Sequence, residues 1–320
     1  MPEEPFECII AVDVAKDHLD YCVMPGQCAG RIKNTAAAAR AFLRRHVGDG
    51  SKRTLLVCEA TGGYERALIA AAQGLALPIH RAEGRRIRLF AQARGLRAKT
   101  DTLDARIIAD YASQAGKLRL YQPPTPERQA LTALVNRRDE LLEMRLKEES
   151  RQALQQDNRV RASLDRVIAC LKRQLKQIEV EIAALIENSN ALAHRNRLMQ
   201  SLAGVGRVTA MTLMATMPEL GTLSKGQAAA LAGLAPYNRD SGKTNLRRRL
   251  AGGRFKPRRC LFMAATVAIK HNPVLKKNFK ALIQRGKPYK VALVAIMRKM
   301  IIILNAILKT NQPWKGANAT

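Results

Sequence analysis

The chain has 320 residues, 47% of them hydrophobic, enough to core more than one domain at roughly 100–200 residues each. Lys and Arg number 55 against 26 Asp and Glu, a formal charge of +29, which exceeds what solubility requires and makes a polyanion the expected partner. The acidic start "MPEEPFEC" has neither the basic nor the apolar region of a signal peptide, and the six cysteines form no C-x-x-C pair; these features argue against a disulfide framework or zinc site and for a reducing, cytoplasmic setting.

The first elements read as strands. "ECIIAVDV" is an Ile/Val run with an acid near its end, and "HLDYCVM" follows a short polar break, as in a hairpin. "TLLVCE" is a second buried-strand run ending in an acid, followed by the turn "ATGGY" and the helical "ERALIAAAQGLAL". "LPIHRA" supplies a further strand before the basic "RRIRLFAQARGLRAKTD", which holds Arg85, Arg86 and Arg88. Strands alternating with helices predict an α/β domain over residues 1–120.

"QPPTPER" then punctuates the chain, with Thr125 and Pro126 suited to an N-cap and first helical turn. Leu164, Ile168, Leu171, Leu175, Ile178, Ile182 and Leu185 alternate four- and three-residue spacings. That is the a/d pattern of a coiled coil, or else one amphipathic helix lying on a domain core; either way residues 121–195 form a helical linker. Residues 196–320 are mostly helical. The apolar block "VALVAIMRKMIIILNAIL" is interrupted by Arg298 and Lys299 and reads as a buried helix rather than a membrane span.

Two loops in this last part have the chemistry to meet a phosphate. "SLAGVGRVTA" places Gly204, Gly206 and Arg207 between helical halves, the pattern of a helix-hairpin-helix turn whose backbone amides can meet a phosphate; a plain inter-helix turn is the alternative. "APYNRDSGKTNLRRRLAGGRFKPRR" carries Arg239, Lys243, Arg247, Arg248, Arg249 and Arg254 against one acid, Asp240, and predicts a phosphate-facing surface.

Acids kept within so basic a chain need a reason. In "KTDTLDAR", Asp101 and Asp104 are three residues apart; on a helix they share one face, about 5–6 Å apart at Cβ, and can reach a common ion. They can equally be an N-cap and an N3 acid. Asp13 and Glu59 end buried strand runs, where an ionised carboxylate is costly unless paired or holding a cation. An Asx turn and a helix-start acid are their plainer alternatives. Together the four acids have the oxygen donors for two magnesium ions about 3.5–4 Å apart, an arrangement used in phosphodiester chemistry.

"AVDVAKDHLDYCV", "CEATGGYE" and "KTDTLDARIIADY" resemble the motifs of DEDD transposases of the insertion-sequence-110 family. "SLAGVGRVTA" and "LAGLAPYNRDSGK…GGR…RRCLFMAA" are similar to their C-terminal transposase domain, most closely that of the insertion-sequence-1111 subgroup. The resemblance implies an RNase H-like (RuvC-like) domain over 1–120, a coiled-coil linker over 121–195 and a helical transposase domain over 196–320. It implies an acidic tetrad at Asp13, Glu59, Asp101 and Asp104 binding Mg2+, a serine nucleophile at Ser241, and a non-coding bridge RNA pairing with donor and target DNA. One departure is "IHRAEGRRIRLF": relatives often carry Asn-Pro after the strand, where this chain has Ala82 and Glu83.

The expected function is RNA-guided, site-specific recombination of double-stranded DNA through a covalent phosphoserine, with no ATP and accordingly no Walker loop. The rivals are a metal-dependent junction nuclease and a non-enzymatic RNA- or DNA-architectural protein. The linker helices and the need for several cleaving centres predict a dimer that pairs into a tetramer on substrate.

Overall fold

The computed structural model describes residues 6–47, 52–96, 101–116, 118–237 and 249–316, with the side chains of 101–103 and 249 outside that description. The chain divides into two compact units, 1–123 and 124–320. The linker expected over 121–195 thus falls almost wholly within the second unit.

In the first unit β1 (Cys8–Val14), β2 (His18–Met24) and β3 (Cys28–Lys33) form an antiparallel meander. The chain then runs through α1 (Ala36–Val47), β4 (Thr54–Glu59), α2 (Arg66–Gln73), β5 (Ile79–Ala82), α3 (Gly84–Ala93) and α4 (Asp101–Gln114). β4 pairs parallel to β1, and β5 parallel to β4, for a sheet order β3-β2-β1-β4-β5. An antiparallel meander continued by parallel β-α-β units around a central first strand is the RNase H-like arrangement that the motifs imply.

Strand alternation assigns the two faces. Ile10, Val12, Leu56 and Cys58 pack with Phe42 and Leu43 of α1 and with Leu68 and Ala72 of α2. Ile9, Ala11, Leu55 and Val57 pack on the other face with Ile87 of α3 and with Ala105, Ile108, Ala109 and Ala112 of α4. β1 is central and buried on both faces, which is why its sequence is continuously apolar up to Asp13.

The second unit opens with α5 (Pro126–Leu154), whose Thr125 side chain accepts from the Arg128 amide with Pro126 in the first turn, as expected. α6 (Asn158–Asn188) pairs back along α5, and its Ile168, Leu175 and Ile182 are buried. The heptad seam is therefore filled within the chain. α7 (Asn190–Gln200), α8 (Arg207–Thr216), α9 (Lys225–Leu231), the two-residue strands β6 (Pro236–Tyr237) and β7 (Arg249–Leu250), α10 (Phe255–His271), α11 (Pro273–Gln284) and α12 (Tyr289–Thr310) follow. One core takes in Leu131 and Val135 of α5, Ile182 and Ile186 of α6, Leu213 of α8, Leu261 of α10 and Leu293, Met300 and Leu304 of α12. α12 is long and apolar enough to cross a membrane by length and composition, but its Leu293, Ile296, Met297, Met300 and Ile301 line this core, as expected of a buried helix. Its buried Asn305 accepts from the Gly221 amide at 2.8 Å and donates to the Leu223 carbonyl at 2.8 Å, so this polar group is satisfied within the apolar surroundings.

Candidate active site

Three of the four expected acids are placed by the packing just described. Asp13 shares the β1 face of Ile9 and Ala11, and Glu59 shares the β4 face of Leu55 and Val57, the face covered by α4. Each lies one step past the last paired β1–β4 residues, Val12 and Cys58. Asp104 stands next to Ala105, which is buried on that same face. Asp101 begins α4 as the expected spacing requires, but its side chain lies outside the described residues.

Charge reports the convergence. Burial, and after it the charges of Asp104 and Glu59, push the Asp13 carboxyl from its usual 3.8 up to about 6. Crowded carboxylates at the polar end of a sheet favour a cation, and an all-oxygen donor set suits a hard divalent one such as magnesium. Among the described residues no group of three or more His, Cys, Asp and Glu side chains is gathered closely enough to hold an ion, so a cation would draw these acids further together.

The loop that leaves Glu59 is held firmly. Glu65 is 2% exposed; it accepts from the Thr61 hydroxyl at 3.0 Å and the Gly63 amide at 2.8 Å, and pairs with Arg81 of β5. Burial works to raise the Glu65 carboxyl, but its own and the Gly63 backbone amides, Arg81 and Thr61 outweigh it and hold the group below its usual range. α2 begins at Arg66, so Glu59 is not a helix-start acid. Gly84 opens α3 directly beside Glu59: a Cβ there would stand 2.0 Å from Glu59 Oε1. Ala82 and Glu83 therefore end β5 and cap α3 without an Asn-Pro pair, and the glycine that follows leaves room for the carboxylate.

Sequence reasoning does not reach Glu65 or Asn34. The two glycines before Glu65 mark the turn; Asn34, where β3 gives way to α1, carries no signal beyond its type. Asp20, opposite Asp13 in the β1–β2 register, is an acid of another kind: it is 5% exposed and holds Arg31 through bonds of 2.8 and 3.1 Å.

Within the first unit Arg85, Arg86 and Arg88 are exposed on α3. In the second unit Gly204 has φ +103°, and a Cβ there would meet Ala268 Cβ at 2.5 Å and its Cα at 2.8 Å. Gly206 caps α8 and has open space around it among the described residues, and Arg207 beside it is exposed. The two glycines thus divide the work: Gly204 packs the turn onto α10, and Gly206 leaves the start of α8 accessible.

Arg254 is engaged elsewhere than the basic run suggests. Its guanidinium donates to Glu219 at 2.7 and 2.8 Å and to the Thr216 carbonyl at 2.6 Å, tying the start of α10 to the segment after α8. Arg239, Ser241, Lys243, Arg247 and Arg248, and the side chain of Arg249, lie outside the described residues. The ends of their segment are fixed: β6 pairs with β7, and Gly253 lies so close to Gly233 that a Cβ would stand 2.2 Å from the Gly233 nitrogen.

Two family models match the chain. The DEDD transposase model of the IS110 type matches residues 10–167, and the transposase model of the IS116/IS110/IS902 family matches residues 196–280. The pilin gene-inverting protein of Moraxella bovis is 28% identical over 95% of this chain and 97% of its own length. The transposase for insertion sequence element IS1111A of Coxiella burnetii is 27% identical over 96% of this chain and 91% of its own length. Among solved structures, T. thermophilus RuvC in complex with a Holliday junction substrate aligns with 36% of this chain and 99% of that one, at 13% identity and a TM-score of 0.27; the fold assignment rests on the strand order and register above.

Proposed function

The chain belongs to the IS110-family DEDD transposases, and on that premise we propose that it recombines donor and target DNA under the guidance of a non-coding RNA, through a phosphoserine at Ser241. The observation that carries the strand-cleaving part is the convergence of Asp13, Glu59 and Asp104 on one sheet face, with Asp13 pushed up to about 6 by burial and its acidic neighbours. Asp13, Glu59, Asp104 and Asp101 would hold Mg2+. When bound, the ion supplies Lewis-acid stabilisation of charge on the phosphodiester oxygens.

The chain's own residues do the rest. The Ser241 hydroxyl attacks phosphorus; the Oγ–P bond forms, the P–O bond to the leaving strand breaks, and the serine proton passes to the leaving oxygen. In the reverse sense, a strand hydroxyl attacks the phosphoserine and Ser241 is reprotonated. The bond energy is conserved, so no nucleotide hydrolysis is needed. Arg239, Lys243, Arg247 and Arg248 supply cations to the strand, Gly206 and Arg207 meet a backbone phosphate, and Arg85, Arg86 and Arg88 give the first unit its own basic face. Inversion, which the Moraxella bovis relative is named for, is the same cut-and-rejoin chemistry on two sites of one DNA. Sequence choice falls to RNA pairing, in keeping with 4% aromatic residues, too few for extensive base stacking.

The protein acts as a dimer that pairs into a tetramer on substrate. With the α6 seam occupied by α5, self-association draws on other apolar surface of this helix pair, where Leu154, Val160, Val167 and Val180 are exposed. The test is to sequence the RNA that co-purifies with the protein, add it back with both DNAs, and trap protein–DNA adducts. Adducts formed by the wild type and lost in Ser241→Ala support the phosphoserine. Cleavage without adduct, unchanged in Ser241→Ala, means hydrolysis by the acids alone, and bound DNA left uncut both with Mg2+ and in chelator means a binding protein only.

A further inference from the structure

The two acid-bearing strands leave the sheet through separate loops, and one side chain outside the acids joins them. Asn34 follows β3. Its Nδ2 donates to the Ala15 carbonyl at 2.8 Å and to the Tyr64 carbonyl at 3.0 Å. Ala15 is two residues after Asp13, and Tyr64 lies in the loop that leaves Glu59. The Asn34 amide nitrogen also donates to the Asp17 carbonyl at 3.0 Å, in the β1–β2 turn. Both hydrogens of the carboxamide are therefore spent on holding the exit of β1 against the exit of β4.

Each partner is itself rigid. Ala15 donates to the His18 carbonyl at 3.0 Å, closing its turn. The Tyr64 loop is clasped by the buried Glu65 through Thr61, Gly63 and Arg81. A bond between two such bodies fixes the spacing of the carboxylates they carry, which β1–β4 pairing no longer does beyond Val12 and Cys58. Among the described residues Asn34 Oδ1 is buried and accepts no hydrogen bond, so the side chain acts here through its two donors.

We propose that Asn34 is a positioning residue for the carboxylate site: by stapling the Ala15 and Tyr64 carbonyls it holds together the strand exits that carry Asp13 and Glu59, so that a divalent cation has only their side chains left to draw in. This rests on the reading of Asp13, Glu59 and Asp104 as a cation site. Aspartate at 34 has the same shape but cannot donate to two carbonyls, and alanine removes the staple without adding charge. Groups that orient metal ligands without touching the metal typically change affinity about 10–100-fold.

The test is calorimetric titration of the full-length protein with Mn2+, without nucleic acid, alongside melting curves in chelator. Wild type binds, Asp13→Asn does not, and both Asn34→Asp and Asn34→Ala bind about 10-fold or more weakly. A structural role alone would lower the chelator melting temperature of the Asn34 variants and leave their Mn2+ affinity at the wild-type value, which overturns the proposal. If wild type fails to bind, or Asp13→Asn binds equally, the underlying site reading fails instead. Should neither Asn34 variant fold, hydrogen exchange on the wild type decides: Mn2+ must slow exchange in residues 14–18 and 61–65 together, and a response in one segment alone overturns the coupling.

Discussion

Asp13 on β1 and Asp104 on α4 lie close enough that the charge of Asp104, second only to burial, helps push Asp13 up to about 6. Two segments some ninety residues apart in sequence thus bring like charges together, and that repulsion is what a cation would relieve. The relationship sets the sign of a pH effect. A folded-state pKa raised above the unfolded 3.8 means that the folded protein holds the extra proton between those values. The contribution of Asp13 to stability is therefore fully present below about pH 4, falls as pH rises through 6, and is a net cost above it. In chelator, Asp13→Asn should match the wild-type melting temperature near pH 4 and exceed it by a widening margin up to about pH 7. With saturating Mg2+ the wild type should recover the difference. Parallel melting curves at each pH check this.

Arg254 should behave as a fold residue. Its double bond to Glu219, whose side chain is 13% exposed, and its third bond to the Thr216 carbonyl predict that Arg254→Ala costs about 2–3 kcal/mol. Glu219→Ala should cost a similar amount, and the double variant less than the sum. Denaturant unfolding measures all three; an unchanged midpoint would return Arg254 to the phosphate-binding group.

Gly204 and Gly206 should separate folding from binding. Alanine at 204 meets Ala268 and an unfavourable φ, and should cost about 2–4 kcal/mol. Alanine at 206 meets none of the described residues and should change stability by less than about 1 kcal/mol, while weakening DNA binding through poorer phosphate approach to α8. Unfolding curves and binding isotherms on both variants check the split.

Much of the fold is legible because strands with apolar runs and terminal acids announce both a sheet and its polar end: Asp13 and Glu59 stand out for that reason. β3 and α1 do not. β3 is an edge strand with mixed burial, "CAGRIK", lacking an apolar run, and the alanines opening α1 carry little amphipathic pattern. The Asn34 staple and the Arg254–Glu219 pair are invisible in the sequence because both join groups distant along the chain, and nothing local distinguishes a committed arginine from its neighbours in a basic run. The heptads of α6 mark a packing seam, but their spacing does not say that α5 fills it.

The exposed arginines of α3 should act through charge alone. Arg85→Ala and Arg88→Ala should leave the melting temperature unchanged and weaken nucleic-acid binding. Each should reduce the slope of log affinity against log salt by about 0.9 for every duplex phosphate that is no longer neutralised. Equal slopes for variant and wild type would place the nucleic acid elsewhere.

The most direct test of the central claim is strand cleavage of paired donor and target DNA by the protein with its co-purified RNA, comparing wild type with Glu59→Gln in Mg2+ and in chelator. Cleavage confined to wild type in Mg2+, with DNA binding retained by Glu59→Gln, is the predicted result. Cleavage that survives chelation or persists in Glu59→Gln would contradict it.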